Sequence, residues 1–194
     1  FSELLNLKFE NLYEEEEDKL YIDQIPFKKK YFESTLKKIE KYLGKEKDVL
    51  EIGSYYGIFG SLIKPHVKSY IGLELSRHAV EYAKKEYSLN FINKTIEEYI
   101  DEVNSVDVVL MSHVIEHLDK PFDNIESIAN KMSKSSVLIF STYNMDSLIA
   151  KVLGKNYQWI MPMHKYYFTK KVLKNILGKY NLEIVETISD THII

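Results

Sequence analysis

Between Asp48 and Ser189 short apolar runs alternate with longer stretches of helical period, the pattern of a parallel sheet covered by helices. Runs rich in β-branched residues and bounded by polar or glycine positions predict strands at 48–52, 70–75, 90–92, 106–111, 137–141 and 182–188. Helices are predicted at 59–64, 77–87, 122–132, 147–153 and 170–180, with Ser76 and Thr169 as N-caps through their side-chain oxygens. Ahead of the sheet, Tyr31, Leu36, Ile39 and Leu43 fall at helical spacing, and Gly44 ends that helix. The first two dozen residues read as a flap or an additional helix.

The chain has 194 residues, 45% of them hydrophobic, enough for one sizeable core. The expectation is therefore one domain over 1–194, with a flap and helix over 1–44 and a sheet core over 45–194. No apolar run nears the roughly 18 residues of a membrane-spanning helix, and no leader pattern precedes the first element, so no membrane segment is expected. The absence of cysteine removes disulfides, thiolate nucleophiles and cysteine zinc sites, and fits a reducing, cytoplasmic setting. A net charge of -3 and a pI near 6.1 give no overall basic field for a phosphate backbone, so nucleic acid is not the expected partner. The run Lys28, Lys29 and Lys30 reads as a solvated helix face, and the acidic patch from Glu14 to Asp18 as an exposed turn or helix start. A monomer or homodimer is expected.

The chemistry begins in VLEIGSYYGIFG. The apolar strand ends on Glu51, after which Gly53 and Gly57 let backbone approach a ligand where side chains would collide. Glu74 ends the second strand, at about the 20-residue spacing at which an acid meets ribose hydroxyls. Glycine loop and spaced acid together suggest an adenosine ligand. A dinucleotide fingerprint needs glycine where Tyr55 stands, which disfavours NAD.

EIGSYYG resembles the acid-x-glycine-x-glycine-x-glycine motif of class I S-adenosylmethionine-dependent methyltransferases, with Glu51 as the acid and Tyr55 in a glycine position. GLELSRHAVEYAKK, INKTIEEY and VDVVLMSHVIEHLDKP extend that resemblance over about residues 30 to 188, toward the small-molecule branch of sugar and ubiquinone-biosynthesis O-methyltransferases. It implies an α/β, three-layer Rossmann-like sheet, mostly parallel, and S-adenosyl-L-methionine as cofactor with S-adenosyl-L-homocysteine as product. It also implies a cofactor site of Glu51, Gly53, Ser54, Tyr55, Gly57, Glu74, Leu75, Thr95, Ile96 and Ser112, with Glu74 on the ribose and Thr95 and Ile96 bordering the adenine. The family's sheet ends in an antiparallel hairpin, but only Asp190–Ile194 follows the sixth strand, so the expectation is that either the chain is truncated or the seventh strand is missing.

His113, Glu116 and His117 stand at i, i+3 and i+4, and a helical turn there would place all three on one side. Three readings stay open. HVIEH matches the H-x-x-E-H pattern of inverted zinc peptidases, although it directly follows a buried strand. Ubiquinone and small-RNA 2′-O-methyltransferases resemble this stretch and use acid and histidine there for a divalent metal, with Glu116, His117 and His164 as the ligands here. His113 replaces an acid in that pattern, a poorer match to a hard ion. Alternatively, Glu116 and His117 hydrogen-bond the loop that closes the site, a structural role without metal; direct catalysis, with His113 as the candidate, stands apart from these.

After the fifth strand an insertion over about 142–168 holds Trp159 and the run WIMPMHKYYFT, and roofs the end of the sheet where acceptors gather. His164 sits there in a P-x-H-x-x-x-F-T pattern similar to that of the small-molecule branch. It is the candidate general base, since imidazole titrates near neutral pH. The flap can add Tyr13 or Tyr21. The turn after Met111 lacks the N-P-P-aromatic and D-P-P-aromatic patterns of nucleobase N-methyltransferases, so the expected reaction is O-methylation of a small metabolite such as a sugar or quinol. RNA 2′-O-methylation is the second reading and zinc peptidase a remote third.

Overall fold

The computed structural model describes residues 21–189. Five strands, β1 (Asp48–Ile52), β2 (Ser69–Leu73), β3 (Phe91–Ile92), β4 (Val106–Ser112) and β5 (Met132–Ser141), form one sheet in the order β3-β2-β1-β4-β5. Every pairing is parallel. The central strand β1 buries every residue after Asp48 because helices cover both of its faces. Val49 joins Phe59, Ile63, Val108 and Leu110 on one side, while Leu50 and Ile52 join Leu73, Val109 and Met111 on the other.

The helices are α1 (Ile25–Ile39), α2 (Ile58–Ile63), α3 (Arg77–Tyr87), α4 (Ile96–Tyr99), α5 (Pro121–Ala129), α6 (Leu148–Leu153) and α7 (Lys170–Lys179). Both expected N-caps form: Ser76 Oγ accepts from Ala79 N at 3.2 Å and Thr169 Oγ1 from Val172 N at 3.2 Å. Pro26 fits the first turn of α1, where its missing N–H leaves no bond unmade, and Phe32 stacks on Phe59 of α2 at 5.0 Å.

Register places Ile52, Leu73 and Met111 side by side, with Phe140 opposite Met111. Strand order reverses between β1 and β4, so a crevice opens at their carboxyl ends, where the loops after β1, β2, β4 and β5 converge.

The sixth strand does not form. Residues 182–188 pair with no strand among the described residues. Leu182 and Ile184 pack beside Ile115, Phe168 and Leu177, while Val185 and Ile188 face solvent. The alternation in 182–188 is real, but a ladder also requires a neighbour to receive its N–H and C=O groups, and among the described residues β5 pairs with β4 alone. Instead, Glu186 accepts from Tyr42 Oη at 2.9 Å and pairs with Lys41 Nζ at 2.8 Å, which carries this segment back to the turn after α1. The expected flap lies mostly in residues 1–20, and Tyr13, Glu14 to Asp18 and Asp190–Ile194 likewise fall outside the described residues.

Candidate active site

Glu51 shares the inward face of β1 with Val49 and is buried; Tyr70 Oη, from β2, donates to its Oε2. Burial pushes its carboxyl up to about 8; the Tyr70 hydrogen bond opposes that and nearby Glu74 adds to it. The chain then leaves β1 through three left-handed residues, Gly53 (φ 70), Tyr55 (φ 43) and Gly57 (φ 77). A Cβ on Gly53 would lie 2.4 Å from Val114 Cγ2, so only glycine lets this loop pass the turn after β4. Ser54 Oγ donates to Glu51 O at 2.9 Å, and the Gly53 and Ser54 amides both donate to Leu73 O.

Glu74 is held by three backbone amides. Its Oε2 accepts from Tyr55 N at 2.8 Å, and its Oε1 from Leu75 N at 2.7 Å and Ser76 N at 2.8 Å. A carboxylate offers about four lone-pair sites, so acceptor capacity is left over for a ligand. Leu75 beside it is 64% exposed, an apolar side chain with no core to enter. The Tyr55 ring meets Tyr21 edge-on at 4.3 Å and Tyr56 at 4.7 Å, and Tyr21 stacks on Tyr56 at 5.3 Å. Burial, then the charge of Glu51, raises the Tyr21 phenol.

Thr95 and Ile96 open the next helix. The Ile96 side chain points into the core with Leu50, Ile52 and Leu73, which leaves its backbone at the crevice. Thr95 caps α4 in a reciprocal pair: its Oγ1 accepts from Glu98 N at 3.2 Å and its own amide donates to Glu98 Oε2 at 2.8 Å. Ser112 ends β4 opposite Ser141.

HVIEH is not a helix. His113 adopts φ 53 and residues 115–117 form a turn, so the one-sided triad of an H-x-x-E-H peptidase is absent. The left-handed step separates the histidines. His113 Nδ1 lies 3.3 Å from Glu116 Oε1 and its ring rests 4.8 Å from Tyr143, whereas His117 turns to His164, ring to ring at 4.8 Å. Ligand atoms of Glu116, His117 and His164 all lie within 4.8 Å of one another.

The roof is tied to this turn: the amides of Lys165 and Tyr166 both donate to Glu116 O, at 2.9 and 3.2 Å. His117 Nδ1 faces Met163 O at 3.1 Å and His164 Nδ1 faces Trp159 O at 2.9 Å. A carbonyl only accepts, so each Nδ1 carries hydrogen and each neutral ring keeps its lone pair on Nε2. Burial acts to raise Glu116, but hydrogen bonds from His113, its own backbone and Thr142 hold its carboxyl below the ordinary range. Its Oε2 is buried with no hydrogen-bond partner, an orphan acceptor of the kind a bound cation satisfies.

Tyr70 and Tyr143 escaped the sequence reading. Tyr143 stacks on Trp159 at 4.6 Å and stands 5.2 Å from His164. Nothing in a single sequence distinguishes either from the other tyrosines.

The methyltransferase domain family model matches residues 26–187. The mitochondrial ubiquinone biosynthesis O-methyltransferase of Schizosaccharomyces pombe is 28% identical over 149 residues, 70% of this chain and 54% of that protein. The chain spans about half the length of the curated relatives it matches. A SAM-dependent methyltransferase from Archaeoglobus fulgidus superposes with a TM-score of 0.68 at 24% identity, covering 83% of this chain and 73% of that one. Magnesium protoporphyrin IX methyltransferase from Synechocystis, solved with S-adenosylhomocysteine bound, superposes with a TM-score of 0.65 at 16% identity, covering 86% and 78%. Those two likenesses concern the fold. No helix among the described residues is long and apolar enough to cross a membrane. A family match running from α1 to beyond α7 leaves one assignment: the chain belongs to the methyltransferase domain family, with the class I fold of enzymes that use S-adenosylmethionine.

Proposed function

We propose that the chain transfers a methyl group from S-adenosylmethionine to a hydroxyl oxygen of a small metabolite, of sugar or quinol type, with S-adenosylhomocysteine as product. The observation that carries this reading is the meeting of Glu116, His117 and His164 beneath the roof, with both Nε2 lone pairs available and one carboxylate oxygen unpartnered. A hydroxyl must lose its proton as it attacks, and this cluster can take it. The relative from Schizosaccharomyces pombe, an O-methyltransferase by name, supports the choice of oxygen.

When bound, the cofactor supplies a methyl group already activated on a sulfonium. Gly53 leaves the loop bare on its approach, Glu74 offers its remaining lone pairs to the ribose hydroxyls, and Leu75 supplies an apolar edge for the adenine. Glu51 with Ser54 braces the methionine end, and Tyr21 and Tyr55 close over it. Thr95 and Ile96 act through the capped turn of α4, and Ser112 through the end of β4. His164, fixed by the Trp159 carbonyl, accepts at Nε2 the proton that the acceptor hydroxyl loses as its oxygen bonds the methyl carbon. Tyr143 and Trp159 form an aromatic wall for a planar acceptor, with His113 at its edge.

The same three residues fit a divalent ion. One carboxylate and two imidazoles suit zinc, manganese or iron better than calcium or magnesium. Such an ion would polarise the acceptor oxygen and ease its deprotonation.

The test is methyl transfer from labelled cofactor to a panel of catechols, sugars and amines, read by mass spectrometry. A methyl ether on a hydroxyl acceptor is the expected product, and His164→Gln should slow turnover by about 10²-fold or more at unchanged cofactor affinity. Methylation confined to amines would overturn the oxygen assignment.

A further inference from the structure

Most of the exposed large apolar side chains among the described residues fall within one stretch. Of the twelve, eight lie between Leu148 and Val172, in the roof and the helix that follows it. Helix α6 is the extreme case. Of its six residues only Ala150 is buried, while Leu148, Ile149, Val152 and Leu153 face outward, two of them at 75% exposure or more. A helix normally turns its apolar side toward a core; α6 turns it away. Leu148 and Val152 stand one turn apart, on the same outward side.

Charge is gathered in the same place. Residues 142–182 hold seven lysines and a single acid, Asp146, in a chain whose net charge is -3, so the rest of the sequence is strongly acidic. Geometry brings the two properties together. A parallel bridge joins Asn144 to Phe168, and Met145 N donates to Phe168 O at 3.1 Å. From that bridge the chain reaches the caps Ser147 and Thr169 within a few residues, so α6 and α7 start side by side. The exposed Leu148 and Ile149 in the first turn of one accompany the exposed Lys170 and Lys171 in the first turn of the other.

We propose that this face, built by α6, the roof and the start of α7, docks on an anionic lipid surface, with the α6 side chains entering the headgroup layer and the lysines meeting the lipid charges. Apolar residues ringed by lysine are what an interfacial contact requires, since burial of the first and attraction of the second act together. A single-stranded nucleic acid would leave the aliphatic side chains in water. A twofold pairing of two copies through this face would bring Lys170 and Lys171 toward the same positive field on the partner copy, a like-charge juxtaposition that opposes association. The contact is peripheral and needs no spanning helix. It rests on surface composition and stands independently of the reaction proposed above.

The experiment is co-sedimentation of the purified chain with vesicles of phosphatidylcholine alone and of phosphatidylcholine mixed with phosphatidylglycerol. The expected result is binding to the anionic vesicles, release on raising the salt, and little binding to the neutral ones. Leu148→Glu with Val152→Glu should lower the bound fraction about tenfold or more, with the thermal melt unchanged because both positions are exposed. Lys170→Glu with Lys171→Glu keeps the apolar side chains and should remove the preference for anionic lipid. Equal binding by wild type and both double variants would overturn the proposal, as would no binding to either vesicle. So would a concentration-dependent dimer dissolved by Leu148→Glu with Val152→Glu, or salt-sensitive binding to RNA without binding to vesicles.

Discussion

Replacing Glu51 by Gln should make the fold less sensitive to alkali, and the size of the effect follows from burial. The carboxyl moves from an ordinary 4.5 to about 8 on folding, chiefly because it leaves water. Below pH 4.5 the group is protonated in both states and folding is unaffected. Between 4.5 and 8 the folded chain keeps a proton that the unfolded chain has lost, so stability falls as pH rises through that window and levels off above it. With one pKa step equal to about 1.4 kcal/mol, the cost is about 3 kcal/mol at pH 7 and approaches 5 kcal/mol above pH 8. Glutamine does not titrate, and its amide oxygen can still accept from Tyr70 Oη, although its NH2 group needs a partner of its own. The decisive quantity is therefore the difference between wild type and variant as pH changes. From pH 5 to pH 8 the variant should gain about 3 to 4 kcal/mol relative to wild type, which at a urea m-value of about 2 kcal/mol/M moves the relative midpoint by roughly 2 M. Urea titrations followed by far-UV circular dichroism at both pH values test this. A relative midpoint that stays constant from pH 5 to pH 8 would refute the buried-acid reasoning.

Tyr70→Phe removes the donor to Glu51 and should destabilise by about 1 to 3 kcal/mol; the loss should be larger at pH 8 than at pH 5 in the same titrations, because an ionised carboxylate needs the donor more. Gly53→Ala places a methyl 2.4 Å from Val114 Cγ2 on a left-handed residue, and should cost about 1 to 3 kcal/mol and weaken S-adenosylhomocysteine binding in calorimetry; unchanged affinity would show that the loop lies away from the cofactor. Treatment with a chelator followed by titration with zinc or manganese should give one site per chain, weakened by about tenfold or more in Glu116→Gln; equal affinity in wild type and variant would remove Glu116 from the ligand set.

The sheet was legible because its strands leave two independent marks, an apolar run and a polar or glycine boundary. β1 coincides with its predicted span, and the caps Ser76 and Thr169 form because a serine or threonine before a periodic segment has one low-cost use for its oxygen. Residues 182–188 carry the same marks without the result, since alternation records which side chains seek burial and says nothing about whether a neighbouring backbone is present. Ile96 shows the same limit at one residue. The resemblance of INKTIEEY placed Ile96 beside the adenine, whereas the capping box on Thr95 starts a helix that turns the Ile96 side chain into the core, a direction the sequence did not show. In HVIEH the spacing implied one helical side, which the left-handed φ of His113 breaks; the grouping of His117 with His164 came from the family resemblance and not from the spacing. The pairing of positions 117 and 164 depends on how the roof folds back onto the Glu116 carbonyl, a relation that no local pattern encodes.

The bond from the Tyr55 amide to Glu74 joins the loop after β1 to the acid after β2 within the fold itself. Tyrosine in a left-handed position has far fewer backbone states than glycine, and this one is also wedged between Tyr21 and Tyr56. The loop thus loses its freedom when the chain folds, and little further ordering remains for the moment of binding. A cradle that is stiff in advance favours fast capture of a ligand of the right shape and tolerates poorly one whose sugar is puckered or substituted differently. On the proposed cofactor placement, this loop selects its nucleoside where a glycine-rich loop could adapt to it.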